Sequence, residues 1–195
     1  MLKTLILCGG KSTRMGQDKG SMQIQGRLWV QQAVRAAQIA KSEVYLSVNS
    51  EQIELYKKEI PDANFILDEF KYIEGPLKGI FTAHNKFPQS DWLVLACDMP
   101  KLTSRTILAL LKAYNGDKTF DFYVFKDSQI QPFPGIFTAT ALKNVSKALS
   151  VEKPESNSVK GLLDKGNVYI VSIPEGKSIE MVNVNEPDDL KRIGL

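Results

Sequence analysis

Strand-like apolar runs alternate with helix-like segments along most of this chain, and nothing else in it restricts the fold as strongly. KTLILC (3–8), EVYLSVN (43–49), NFILD (64–68) and DWLVLAC (91–97) read as strands, the last almost continuously apolar. Between and after them, LWVQQAVRAAQIA (28–40), EQIELYKKEI (51–60), LKGIFTAHNKF (77–87) and TSRTILALLKAY (103–114) read as helices. The last has Thr103 or Ser104 as cap and closes at Asn115-Gly116. Such alternation predicts an α/β fold, a mostly parallel sheet with helices on both faces. After Phe125 the Pro and Gly punctuation thickens through QPFPGIF (131–137). A helix follows near 139–149, then a loop and short helix over 153–166, late strands in NVYIVSI (167–173) and IEMVNV (179–184), and a terminal helix in EPDDLKRI (186–193). At 195 residues the chain fits one ordinary domain.

In a parallel sheet, ligands gather beyond the carboxyl ends of the strands. The polar features fall there: Gly9 to Lys19 after the first strand, Asn49 after the second, Asp68 after the third, and Cys97-Asp98-Met99-Pro100 after the fourth. The first group is the richest. Gly9 and Gly10 let backbone turn closely around a ligand, and successive amides can then face phosphate oxygens. Lys11, Arg14 and Lys19 follow within ten residues, Arg14 with a forked donor set and the lysines as flexible point charges. The run GGKS is not a Walker loop, because Leu5 stands where its first glycine is required, and no GxGxxG fingerprint is present. The spacing predicts a longer loop that cradles an oligophosphate; a solvated basic turn is the plainer alternative.

Asp98 follows the apolar run directly and suits one magnesium ion shared with substrate phosphates; the same pattern also suits a turn cap. Asp18 either orients Lys19 or forms a turn, and Asp68 is placed to accept hydrogen bonds from a base. Net charge is only +3, and acidic residues lie among the lysines, so no nucleic-acid stripe is evident. The opening apolar stretch is too short to span a membrane and reads as the first core strand of a cytoplasmic protein. Cys8 and Cys97 are predicted as buried free thiols. One histidine, His84, argues against His-based metal sites and His-dependent triads.

LCGGKSTRMGQDK (7–19), GPLKGI (75–80), CDMP (97–100), QPFPGIF (131–137) and VNVNEPDDL (182–190) together resemble the molybdenum cofactor guanylyltransferases. The resemblance implies a single-domain, three-layer Rossmann-like nucleotidyltransferase fold with a mostly parallel mixed sheet. Its nucleotide-binding part spans about 1–115 and its acceptor-binding part about 116–195. It also implies GMP transfer from GTP to the terminal phosphate of molybdopterin, with Mg²⁺ and pyrophosphate release. Leu7, Cys8, Gly9 and Gly10 would lie against guanosine, with Lys19, Asn49 and Asp68 assisting. Asp98 would hold the metal, Arg14 and Lys19 would serve the phosphates, and Gln131, Asn183 and Asn185 would touch the pterin side. Partners in this reading are small molecules and cofactor-biosynthesis or molybdoenzyme-maturation proteins, without nucleic acid or membrane. Where the family tail reads NTP, Glu186 stands between Asn185 and Pro187. Rival readings are a relative using CTP or another nucleotide with a different cofactor or sugar-phosphate acceptor, and a non-catalytic nucleotide-binding protein.

Overall fold

Leu5, Ile6 and residues 92–95 have no exposed surface, so the strands that carry them must sit side by side in a sheet covered on both faces. A computed structural model, which describes residues 1–9, 18–70, 73–149 and 158–194, shows this arrangement. The described residues form β1 (Leu2–Leu7), a small hairpin of β2 (Gln23–Ile24) and β3 (Arg27–Leu28), α1 (Trp29–Ala37), β4 (Val44–Val48), α2 (Ile53–Glu59) and β5 (Asn64–Leu67). Next come α3 (Pro76–Lys86), β6 (Asp91–Ala96), α4 (Ser104–Gly116), β7 (Phe122–Lys126), β8 (Ile130–Phe137) and α5 (Ala139–Leu149). The chain continues through α6 (Val159–Leu163), β9 (Val168–Val171) and α7 (Pro187–Arg192).

Seven strands join in the order β5-β4-β1-β6-β8-β7-β9. The pairs β5–β4, β4–β1, β1–β6 and β7–β9 are parallel, and β8 runs antiparallel to both neighbours. The reason is the connection: only residues 127–129 separate β7 from β8, too few for a parallel crossover. Gly135 sits where β8 is squeezed between Val94 and Val124, and an added Cβ would press on the carbonyl oxygen of Pro132. The β7–β8 register shifts between Val124 and Phe125, and Pro132 and Pro134 lie in the irregular stretch, where no ladder donor is needed.

Helices α1 and α4 pack against each other on the sheet, and α3 packs with α5. In α4 the apolar positions Ile107, Leu110, Leu111 and Tyr114 follow helical spacing and are all buried. The chain crosses from β5 over to β6 on the other side of β1, so the strand order reverses at β1 and opens a crevice at the carboxyl ends.

One predicted strand is corrected. A short 3-10 turn over Ser178–Met181 takes up the first half of IEMVNV, and Glu180 and Met181 are buried. Glu180 is the cause: it receives hydrogen bonds from Thr103 N (3.0 Å), Thr103 Oγ1 (2.8 Å) and Thr106 Oγ1 (2.7 Å), and Lys177 Nζ lies 2.6 Å away. Thr103 therefore does sit at the cap position of α4, but a distant carboxylate receives its amide. Burial pushes the Glu180 carboxyl up, yet Lys177 and the threonine hydrogen bonds outweigh this and hold it below the usual range. A depressed folded-state value stabilises above the unfolded value of about 4.3 and loses that effect as pH falls through the folded value. Glu180→Gln is accordingly expected to cost about 1.5–3 kcal/mol near neutral pH. Denaturant titrations of both proteins should show that gap closing below about pH 4.

The C-terminal segment has its own apolar anchor. Trp29, Val184 and Ile193 form a small buried cluster apart from the main core, supported by Met22, Ile24, Val182 and Leu190.

Candidate functional site

The strand tips meet around one cleft of about 270 Å³ at the switch point. Leu7, Cys8, Gly9, Lys19, Asp68, Asp98, Asn183 and Asn185, all predicted from sequence, line it. Gly10 and Arg14, and Lys11 with them, lie outside the described residues.

Lys19 stands at the centre. Its Nζ lies 2.9 Å from Asp98 Oδ2 and donates to Asn185 Oδ1 at 2.6 Å. One cation thus ties together the segment after β1, the tip of β6 and the C-terminal segment. Val184 N donates to the Asp98 carbonyl oxygen at 2.9 Å, which fixes the same two elements through backbone. The other carboxylate oxygen, Asp98 Oδ1, is buried and has no hydrogen-bond partner among the described residues. A buried acceptor without a donor is costly unless something electropositive reaches it. Among the described residues there is no group of three or more His, Cys, Asp or Glu that could hold a metal by itself. The unpartnered Asp98 Oδ1 is the one feature of the described residues that fits a hard cation holding a single protein carboxylate, with water and phosphate in its other positions.

Asp68 forms the opposite wall. Its Oδ1 accepts from Ser47 Oγ at 2.7 Å. A Cβ on Gly9 would come within 2.6 Å of Asp68 Oδ2, so the glycine lets that carboxylate approach the β1 tip. Burial pushes the Asp68 carboxyl up, and the Ser47 hydrogen bond and the Lys78 charge only partly offset this. Helix α3 sits close beneath: a Cβ on Gly79 would strike Ser47 Oγ and stand 2.9 Å from Leu7 Cδ2. The segment GPLKGI earns its glycines here, with Gly75 at φ +65° and Pro76 opening the helix at the cleft.

Two predicted residues are not among those lining the cleft. Asn49 Oδ1 accepts from the amides of Glu51 (2.9 Å) and Gln52 (3.0 Å), so this side chain shapes the turn into α2. Gln131 lies on β8, paired with Phe125 across from β7. Ser47, Ala96 and Phe133 also line the cleft and were not singled out from sequence. Ser47 was legible in principle: it is a lone polar residue in an apolar strand, two positions before Asn49 and so on the same face. Phe133 lay unremarked inside QPFPGIF. Cys8 and Cys97 are free and buried, as predicted. Burial and contact with Cys97 push the Cys8 thiol well up, so it stays protonated at neutral pH. His84 is buried in α3, away from the cleft. Glu186 occupies the cap position of α7, where Asp189 Oδ2 accepts from Asn185 N (2.9 Å) and Glu186 N (3.1 Å). The departure from NTP thus falls on a helix cap.

A cleft at the switch point of a Rossmann-like sheet, lined by a lysine and a carboxylate with one unpartnered oxygen, defines an α/β protein of the nucleotidyltransferase-like fold. The chain belongs to the MobA-like NTP transferase domain family, whose model matches residues 4–165. It is 27% identical over 195 residues to a probable molybdenum cofactor guanylyltransferase of Flavobacterium johnsoniae, covering all of this chain and 97% of the relative. A crystal structure of molybdopterin-guanine dinucleotide biosynthesis protein A from Archaeoglobus fulgidus superposes with a TM-score of 0.77 at 21% identity, over 98% of this chain and 96% of that one. The fold is also shared with a 4-diphosphocytidyl-2C-methyl-D-erythritol synthase of Anaerococcus prevotii, with TM-score 0.74 and 11% identity over 98% and 93% of the two chains. No helix among the described residues is long and apolar enough to cross a membrane.

Proposed function

We propose that this protein transfers GMP from GTP to the terminal phosphate of molybdopterin, in the cytoplasm, forming the guanine dinucleotide cofactor and pyrophosphate. The observation that carries the proposal is the convergence of Lys19, Asp98 and Asn185 in one cleft with Asp68 on its other wall. The family and the named relatives support the choice of substrates.

The acceptor is a phosphate monoester, anionic near neutral pH, so its oxygen attacks the α-phosphorus of GTP without a strong base. The new bond is acceptor oxygen to α-phosphorus, and the bond between the α-phosphorus and the β-bridging oxygen breaks. The obstacle is repulsion between two anions. Lys19 moves positive charge onto the phosphates, assisted in this reading by Arg14 and by the Gly9–Gly10 amides. Asp98 is the residue that would hold Mg²⁺, which when bound neutralises phosphate charge. Asp68 reads the guanine edge as an acceptor, with Leu7 and Cys8 against the nucleoside. Asn183 and Asn185, which line the cleft, would meet the pterin and help to hold the acceptor in line. Proteins of cofactor biosynthesis or molybdoenzyme maturation are the natural receivers of so labile a product.

Calorimetry of GTP, CTP and ATP with magnesium, followed by pyrophosphate release with molybdopterin, tests the proposal. GTP should bind most tightly and release pyrophosphate only with the acceptor present; a preference for CTP would assign the chain to a relative of different specificity. Asp68→Ala should narrow the gap between GTP and ATP affinity by about 10- to 100-fold, by loss of a charged hydrogen-bond acceptor. Because Asp68 titrates above the usual aspartate range, guanine preference in the unmutated protein should fade on acidification before an ordinary carboxylate would protonate. Unchanged selectivity would remove Asp68 from base reading.

A further inference from the structure

Lys19 enters the cleft from a short 3-10 turn, Lys19–Ser21, whose flanks are held from outside the site. Asp18 precedes this turn and accepts from Ser21 N at 3.0 Å, while Ser21 Oγ returns a hydrogen bond to the Asp18 carbonyl at 2.7 Å. That would suffice for an ordinary turn cap. Two more donors reach the same carboxylate from α2 and the residue before it. Tyr56, fully buried, donates its hydroxyl to Oδ1, and Gln52 donates Nε2 to Oδ2. The contact is tight enough that a Cβ on Gly20 would strike the Tyr56 hydroxyl.

The orientation of Gln52 is dictated by its neighbours. Its Oε1 accepts from Asn49 N at 3.0 Å, and its Nε2 also donates to the Cys8 carbonyl at 2.8 Å. Flipping the amide would set donor against donor and acceptor against acceptor. Gln52 therefore bridges the end of β1 to the start of the Lys19 turn, with Asn49 holding it in place. Burial and the nearby Asp18 push the Tyr56 phenol far up, so it remains a donor at any working pH.

We propose that Gln52 and Tyr56 are positioning residues that hold Lys19 in the cleft through Asp18. The inference rests on the reading that Lys19 serves a bound triphosphate, and it extends that reading to two residues outside the cleft. Fixing the backbone on both sides of Lys19 limits where its Nζ travels, so the ammonium is already near Asp98 when substrate arrives. Asn49 then contributes through Gln52, which gives it a role without a place in the cleft wall.

Two measurements test this, with Tyr56→Phe and Gln52→Met as variants that keep side-chain bulk. Hydrogen exchange needs no ligand: amides of residues 18–22 should exchange about tenfold faster in either variant, with β1 and β6 unchanged. Unaltered protection at 18–22 overturns the proposal. Magnesium-GTP affinity is then compared for the unmutated protein, Tyr56→Phe, Lys19→Ala and the double variant. Tyr56→Phe should weaken binding about tenfold alone and not at all when Lys19 is already absent. An equal loss in both backgrounds overturns the proposal, because a role in general stability does not depend on Lys19. If the unmutated protein binds no nucleoside triphosphate, the functional reading falls, while the exchange result still decides whether Gln52 and Tyr56 hold the Lys19 turn.

Discussion

Asp98→Asn is expected to lower turnover roughly 100- to 1,000-fold while leaving the fold intact, through loss of several kcal/mol of charge stabilisation. The substitution keeps size and shape, and its amide oxygen can still accept from Lys19. The backbone there is held independently by Val184 N on the Asp98 carbonyl oxygen. What disappears is the negative charge and the free acceptor: an amide NH₂ would take the place of the buried, unpartnered Oδ1. The magnesium concentration giving half-maximal rate should therefore rise sharply, which a magnesium titration of initial rates reads directly. Full activity at ordinary magnesium would show that Asp98 is no ligand.

Lys19→Ala should produce a pair of changes in opposite directions. Turnover falls about 100-fold, the usual scale for removing one charged donor from a phosphoryl-transfer site. Affinity for magnesium without nucleotide rises, because Lys19 is the cation paired with Asp98 among the described residues and its loss leaves that carboxylate uncompensated. Rapid-mix assays give the first number, and calorimetry with magnesium chloride alone gives the second. A weaker metal interaction in the variant would mean that Lys19 assists the cation rather than competing with it. The same substitution strips Asn185 Oδ1 of its donor, so the Michaelis constant for the acceptor should change as well.

The part of the site legible in sequence is the part written at strand ends. β1, β4, β5 and β6 each announce themselves by an apolar run and stop at a polar residue, and a parallel sheet puts those stops on one edge. Gly9, Asp68 and Asp98 follow from that geometry without any tertiary information. Asn49 behaves differently. It stands at a strand end like the others, but its side chain meets two backbone amides before it can reach the cleft. Local hydrogen bonding of this kind competes with any distant role, and spacing alone cannot reveal it. The 178–181 turn was misread for a similar reason. Its apolar alternation is real, but Glu180 is paired with threonines more than seventy positions away, and only the folded chain brings them together. The reversed direction of β8 was recoverable from the three-residue link before it.

The C-terminal side of the cleft rests on packing of its own. Asn183 and Asn185 flank Val184, which belongs with Trp29 and Ile193 to the small apolar cluster and not to the main core beneath the sheet. Changes in this tail would be felt at the strand tips through two links, Lys19 to Asn185 and Val184 N to the Asp98 carbonyl oxygen. The tail and the strand tips thus work as two jaws on one hinge, and a residue exchanged in either resets the gap between them.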